Sequence, residues 1–149
     1  MGSISTIGYL MQHTASIMYR QSDQVLQERL GIGMSQYKIL VILQDRPHIQ
    51  QRTLAELLGQ TEASVSRQIK LLCNKAMLAV EINPKNRREH LMVPTARGYR
   101  ITQAAMDTLQ EYHASTFDQF NDKEKQLLEA MLNKMHAAAC NSRKSIPPG

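Results

Sequence analysis

The segment Leu54–Lys75, LAELLGQTEASVSRQIKLLCNK, restricts the possible folds more than any other stretch of this chain. Leu54, Leu57 and Leu58 make an apolar stripe on a short helix. Gly59 follows, and glycine reaches the left-handed conformation that ends a helix at no steric cost. Thr61 then stands where its hydroxyl can accept from an orphan backbone N–H of a second helix, and Glu62 suits that helix's positive end. Val65, Ile69, Leu72 and Ala76 recur at helical spacing and define a buried face. The opposite face carries Ser64, Ser66, Arg67, Gln68 and Lys70, all hydrogen-bond donors, with no acid among them. A helix, a glycine turn and a polar, basic second helix make the helix-turn-helix pattern, whose second helix enters a DNA major groove. A helical hairpin with a solvated outer face fits the same letters.

Charge placement discriminates between the two. The chain has 149 residues and a net charge of +5. Residues 50–100 hold nine basic residues against four acids, so the whole surplus sits in and just after the helix-turn-helix, and the rest of the chain is neutral. A local excess of this kind is the footprint of a polyanion-binding surface. Other classes lose ground for lack of motifs. The five histidines lack metal-ligand spacing, and there is no Cys-x-x-Cys, phosphate-cradling glycine loop or Gly-x-Ser-x-Gly, so neither an enzyme nor a metal or cofactor site is expected. Cys73 and Cys140 are far apart and give no disulfide framework. MGSISTIGYL lacks the basic start of a signal peptide, and no apolar run approaches a membrane span. A cytoplasmic protein is the expectation.

Flanking the helix-turn-helix are longer elements. Ile7, Leu10, Met11, Thr14, Ile17 and Met18, continued by Val25, Leu26 and Leu30, predict one helix over 6–30. Gly31 and Gly33 break it, Ser35 is placed to cap the next, and Gln36–Gln44 reads as a central buried helix. Gln50 occupies the capping slot before the third helix, and it is a poor cap. After Lys75 the period changes. Leu78, Val80 and Ile82 alternate with Ala79, Glu81 and Asn83, and Leu91 and Val93 with His90 and Met92, around the tip Asn83-Pro84-Lys85-Asn86-Arg87-Arg88. This predicts a β-hairpin with a basic tip, which must pack on helices because two strands alone are marginal in water. Pro94 and Thr95 open a second long helix, and Asn121 with Glu124 forms a capping box for a third. The expected fold is mainly α with a small β-hairpin wing: a winged helix-turn-helix over 31–94, with long helices over 6–30 and 95–139. Residues 140–149 read as a disordered tail. The long helices are amphipathic and exceed what one small core can cover, which points to a second copy of the chain.

The order of elements resembles the MarR family of bacterial transcriptional regulators. The resemblance rests on Leu54-Ala55, Leu58-Gly59, Thr61, Val65-Ser66-Arg67 and Lys75-Ala76-Met77. Asn83-Pro84-Lys85-Asn86-Arg87-Arg88 matches the wing pattern and Pro94-Thr95-Ala96-Arg97-Gly98 the opening of the next helix. It implies a homodimer on double-stranded DNA with a palindromic operator, acting as a repressor released by a small aromatic or lipophilic effector. Carried onto this sequence, the DNA-binding residues are Gln36, Thr61, Ser64, Ser66, Arg67, Lys70, Lys85, Arg87 and Arg88, with Arg67 the candidate base reader. Met11, Met18, Tyr37 and Tyr112 are the candidate effector pocket. Two alternatives stand beside this: a winged helix for protein contact alone, and a regulator that senses oxidants through Cys73. The chain departs from the family at the wing, where Asn83 and Asn86 replace acids, so an arginine there loses a charged partner. It departs again at Ala76, which replaces a glycine and requires either a negative φ or strain.

Overall fold

The computed structural model describes residues 3–142, with side chains described over 6–141. It comprises two compact units, Met1–Glu111 and Tyr112–Gly149. In the first lie α1 (Ser3–Leu30), α2 (Met34–Asp45), α3 (Gln51–Leu58), α4 (Glu62–Asn74), β1 (Leu78–Asn83), β2 (Asn86–Pro94) and the larger part of α5 (Ala96–Phe117). The second holds the end of α5 and α6 (Asp122–Ser142). This is the mainly helical winged helix-turn-helix that the sequence predicts.

The core of the first unit is built around α2. Its Ile39, Leu40 and Leu43 are wholly buried, packed with Leu26 and Ile32, with Leu54 and Ala55 of α3, and with Val65, Ile69 and Leu72 of α4. Leu78 and Met92 from the base of the hairpin complete the cluster. Each such aliphatic side chain contributes about 1.5–3 kcal/mol on burial, so the hairpin is held by what it buries at its base. Two stripe residues fall outside: Leu57 is half exposed, and Ala76 lies beyond the end of α4 on the surface.

Local signals set most of the boundaries. Gly59 has φ +63°, and the N–H of Gln60 donates back to the carbonyl of Ala55 at 3.0 Å, which closes α3. Thr61 Oγ1 accepts from the Ser64 N–H at 3.1 Å and starts α4. In the second unit both bonds of the capping box form: Asn121 N–H to Glu124 Oε2 at 2.8 Å and Glu124 N–H to Asn121 Oδ1 at 3.0 Å. The α2 cap differs from expectation. The helix begins at Met34, so Ser35 lies inside it, and its N-cap Gly33 has no side chain to offer. Asp23 of α1 serves instead, its Oδ1 accepting from the Met34 N–H at 2.8 Å while Gln27 steadies its other oxygen at 2.7 Å. Helix α1 begins at Ser3 rather than Thr6, and α6 runs through Ser142. Residues 140–142 of the expected tail are therefore helix, and 143–149 lie outside the described residues. Among the described residues no helix is long and apolar enough to cross a membrane.

The wing is a two-stranded antiparallel sheet paired from Leu78↔Pro94 to Ile82↔His90, with an irregularity before Asn83↔Asn86. Pro94 therefore ends β2 rather than entering α5, and Thr95 alone caps that helix, accepting from the Gly98 N–H at 3.0 Å. The same hydroxyl donates to the Ala76 carbonyl at 2.7 Å, and the Thr95 N–H donates to the Met77 carbonyl at 3.1 Å. Ala76 sits at φ +55°. The left-handed region costs a non-glycine residue about 1–2 kcal/mol, so the position bears strain. Gly98 answers a different need, because a Cβ there would collide with the Met77 carbonyl oxygen.

Two substitutions test this corner by urea denaturation. Ala76→Gly removes the strain but enlarges the unfolded chain's freedom by about 0.4–1 kcal/mol; the expected net gain is about 0.5 kcal/mol and a higher urea midpoint. Gly98→Ala must displace backbone and is expected to cost about 2 kcal/mol or more.

Candidate nucleic-acid interface

Helix α4 presents its outer face as the sequence predicts. Arg67 and Lys70 are exposed, Thr61 is exposed at the N-terminus, and Ser64 and Ser66 are half buried at the edge of that face. At the wing tip Lys85, Arg87 and Arg88 are all exposed. The ion pairs among the described residues are Arg29–Glu111, Arg46–Asp45, Arg52–Glu56 and Lys125–Asp118, at 3.2–3.7 Å. None of them involves a cation of α4 or of the wing. Five positive charges thus stand on one winged helix without a carboxylate to neutralise them, which leaves them available to an external polyanion.

The two wing asparagines act on backbone rather than on guanidinium. Asn83 Oδ1 accepts from the Lys85 N–H at 3.0 Å, and Asn86 Oδ1 accepts from the Arg88 N–H at 3.2 Å. Such turns hold the tip's main chain while leaving the arginine heads free. Glu89, next to the tip, is engaged elsewhere, accepting from Asn83 Nδ2 at 2.9 Å and from Gln50 Nε2 at 3.3 Å. That carboxylate joins the wing to the start of α3 and forms no ion pair with the tip cations among the described residues.

Gln36 is placed differently from the other candidates. It is only 7% exposed, and its amide is used inside the fold: Nε2 donates to Gln68 Oε1 at 3.1 Å, and Oε1 accepts from Lys75 Nζ at 3.3 Å. It therefore cannot anchor a phosphate from where it stands. Its spacing from Ile39, Leu40 and Leu43, at i+3, i+4 and i+7 on one face of α2, was the available sign of burial. Gln68 and Lys75, which the family resemblance does not single out as DNA contacts, are the residues it meets.

The same arrangement of elements occurs in known proteins. The family model described as MarR family matches residues 32–90, from the start of α2 through most of the wing. The match spans α2, α3, α4 and the first part of the wing, so the likeness to that family lies in the helix-turn-helix and its hairpin. The transcriptional regulator HosA of Escherichia coli O111:H- is 23% identical over 124 residues, covering 83% of this chain and 86% of HosA. A crystal structure of MarR superposes with a TM-score of 0.81 at 22% identity, over 91% of this chain and 94% of that one. A point mutant of Staphylococcus aureus MepR bound to an oligodeoxyribonucleotide superposes with a TM-score of 0.61 at 23% identity, over 89% and 97%. At these identities the superpositions establish the fold.

The four candidate effector residues, Met11, Met18, Tyr37 and Tyr112, are not gathered in one cavity among the described residues. Met11 and Met18 are half buried on α1. Tyr37 lines a cavity of about 330 Å³ with Lys38, Val41, Ile42, Leu57 and Leu58, and burial raises its phenol pKa. Tyr112 belongs to the second unit and is 40% exposed. Cys73 lies in a separate cavity of about 270 Å³ between α4 and the wing, beside Ile69, Lys70, Val80 and Met92. Burial pushes its thiol pKa up, which reduces the thiolate available at neutral pH.

That direction has a measurable consequence. In a Cys140→Ser variant, Cys73 should react with iodoacetamide more slowly at pH 7 than a free thiol does. Its rate should climb only as pH rises through a midpoint above the ordinary thiol value. Rapid labelling at pH 7 would reverse this reading.

Proposed function

We propose that this chain is a DNA-binding transcriptional regulator that works as a homodimer on a palindromic duplex. The observation that carries the proposal is the set of unpaired cations, Arg67 and Lys70 on α4 and Lys85, Arg87 and Arg88 on the wing. Arg67 is the group suited to read a base, since a guanidinium binds guanine O6 and N7 bidentately. Thr61, Ser64, Ser66 and Lys70 position the helix on phosphates, and the wing cations follow the backbone or the adjacent minor groove. Gln36 has no part in contact.

Pairing of two chains follows from faces left bare. On α1, Ile7 and Leu10 are half exposed; on α6, Leu127, Met131, Leu132 and Met135 are 43–60% exposed. Runs of large apolar side chains at helical spacing mark association surfaces. A two-fold pair would present two recognition helices to half-sites about one turn apart, so that a palindromic operator mirrors the protein. Occupancy of such an operator represses by excluding other proteins from it. Release would follow from an apolar effector with an acidic group, a chemistry that fits the Tyr37 cavity with Lys38 at its edge.

Selection of bound sequences from random duplex DNA, followed by fluorescence anisotropy across a salt series, tests the proposal. A palindromic product is expected, with log affinity falling linearly in log salt. Arg67→Ala should cost about 1–3 kcal/mol and relax one position of the site. Arg87→Ala with Arg88→Ala should lower the salt slope by about 0.9 for each phosphate that is no longer neutralised. Leu127→Glu with Met131→Glu should yield a monomer in sedimentation and abolish tight binding. A salt-independent signal would instead favour a winged helix devoted to protein contact.

A further inference from the structure

Behind the outer face of α4 lies a polar seam that no contact with DNA requires. Gln36 donates to Gln68 and accepts from Lys75, and Lys75 Nζ also donates to the carbonyl oxygen of Gly31. Gln68 is on the recognition helix, and Lys75 is its C-cap. Gly31 follows the end of α1, and the helix that carries Gln36 is itself capped by Asp23 of α1. Recognition helix and α1–α2 junction are thus joined by directional bonds at two points of α4, one mid-helix and one at its end.

Apolar packing does not supply the same constraint. Val65, Ile69 and Leu72 fix how deeply α4 sits, but hydrocarbon contact is non-directional and tolerates a small roll. A roll of about 10° moves a side-chain tip that is ~6 Å from the helix axis by about 1 Å. A hydrogen bond to a base edge has little more tolerance than that. Gln68 is the sequence neighbour of Arg67 and lies two residues before Lys70, so whatever fixes Gln68 fixes the direction of both cations.

We infer that Gln36, Gln68 and Lys75 are positioning residues that lock the roll of the recognition helix to the α1–α2 junction, and so set discrimination between DNA sequences. The inference rests on the DNA-binding reading above. It separates these residues from the phosphate contacts, because Gln36 is buried and Lys75 is turned toward Gly31 and Gln36 rather than outward.

The test uses full-length protein, a duplex enriched by the wild type from a random pool, and a scrambled duplex of equal length. Thermal melting establishes the folded fraction, and affinities for both duplexes are taken across a salt series. Gln36→Leu should lower the ratio of the two affinities about tenfold, the scale of one hydrogen bond, with the salt slope unchanged. Gln36→Glu, whose carboxylate can accept from both Lys75 and the Gln68 amide, should restore most of the ratio. Lys75→Met lies at the surface end of the seam and reports even where Gln36→Leu folds poorly; it should lower the ratio with the slope unchanged. Full discrimination in folded Gln36→Leu would overturn the inference, as would a slope reduced by about 0.9 in Lys75→Met, which marks a phosphate contact. A wild type that enriches no duplex defeats the DNA-binding reading itself, an outcome distinct from either.

Discussion

Helix α4, the wing and α5 meet where the Thr95 hydroxyl bridges the Ala76 carbonyl and the Gly98 N–H. Four boundaries coincide there: α4 ends at Asn74, β1 starts at Leu78, β2 ends at Pro94 and α5 starts at Ala96. One threonine side chain therefore closes the end of one element and opens another. The left-handed Ala76 and the missing Cβ of Gly98 follow from it, since the first turns the Ala76 carbonyl toward Thr95 and the second lets α5 approach the Met77 carbonyl. An alanine at φ +55° is tolerated because three bonds from Ala76 N–H, Ala76 carbonyl and Met77 N–H, at 2.7–2.9 Å, over-determine it.

With that corner fixed, the distribution of charge becomes intelligible. Of the four acids of residues 50–100, Glu81 is exposed on β1 of the wing, and the other three are engaged or set by the helix dipole. Glu56 pairs with Arg52 within α3, Glu62 sits at the positive end of α4, and Glu89 accepts from Asn83 and Gln50. Among the described residues the cations of α4 and the wing tip have no such partners. A surface ion pair contributes little stability, about 0–1 kcal/mol, so leaving Arg67, Lys70, Arg87 and Arg88 unpaired costs the fold almost nothing. The field they produce is what a polyanion meets.

Features set by neighbours three to five residues apart were legible in the sequence. Gly59 and Thr61 gave the turn and the cap, alternation around Asn83–Arg88 gave the hairpin, and Asn121 with Glu124 gave the third long helix. What escaped depended on distant partners. Asp23 caps a helix eleven residues on, and Gln36 is engaged by Gln68 and Lys75, thirty-two and thirty-nine positions away. No local pattern encodes those bonds, and a glutamine near a helix start reads equally well as an exposed polar group. The tail misled for a related reason: Cys140–Ser142 continue α6 although the sequence after them, Arg-Lys-Ser-Ile-Pro-Pro-Gly, has no helical period.

The bare apolar faces of α1 and α6 bear on the same question as the cations. One winged helix with a handful of phosphate contacts binds DNA weakly at physiological salt, with dissociation constants of about 10⁻⁴–10⁻⁶ M. Adding cations would strengthen binding to every sequence alike and leave discrimination untouched. Joining two such modules makes the second contact intramolecular and multiplies affinity only where both half-sites are present at the right spacing. On the regulator reading, then, Ile7, Leu10, Leu127 and Met131 are as much a part of sequence recognition as Arg67. They convert two weak, charge-driven contacts into one whose strength depends on the order of bases, and the roll imposed on α4 from the α1–α2 junction decides which bases those are.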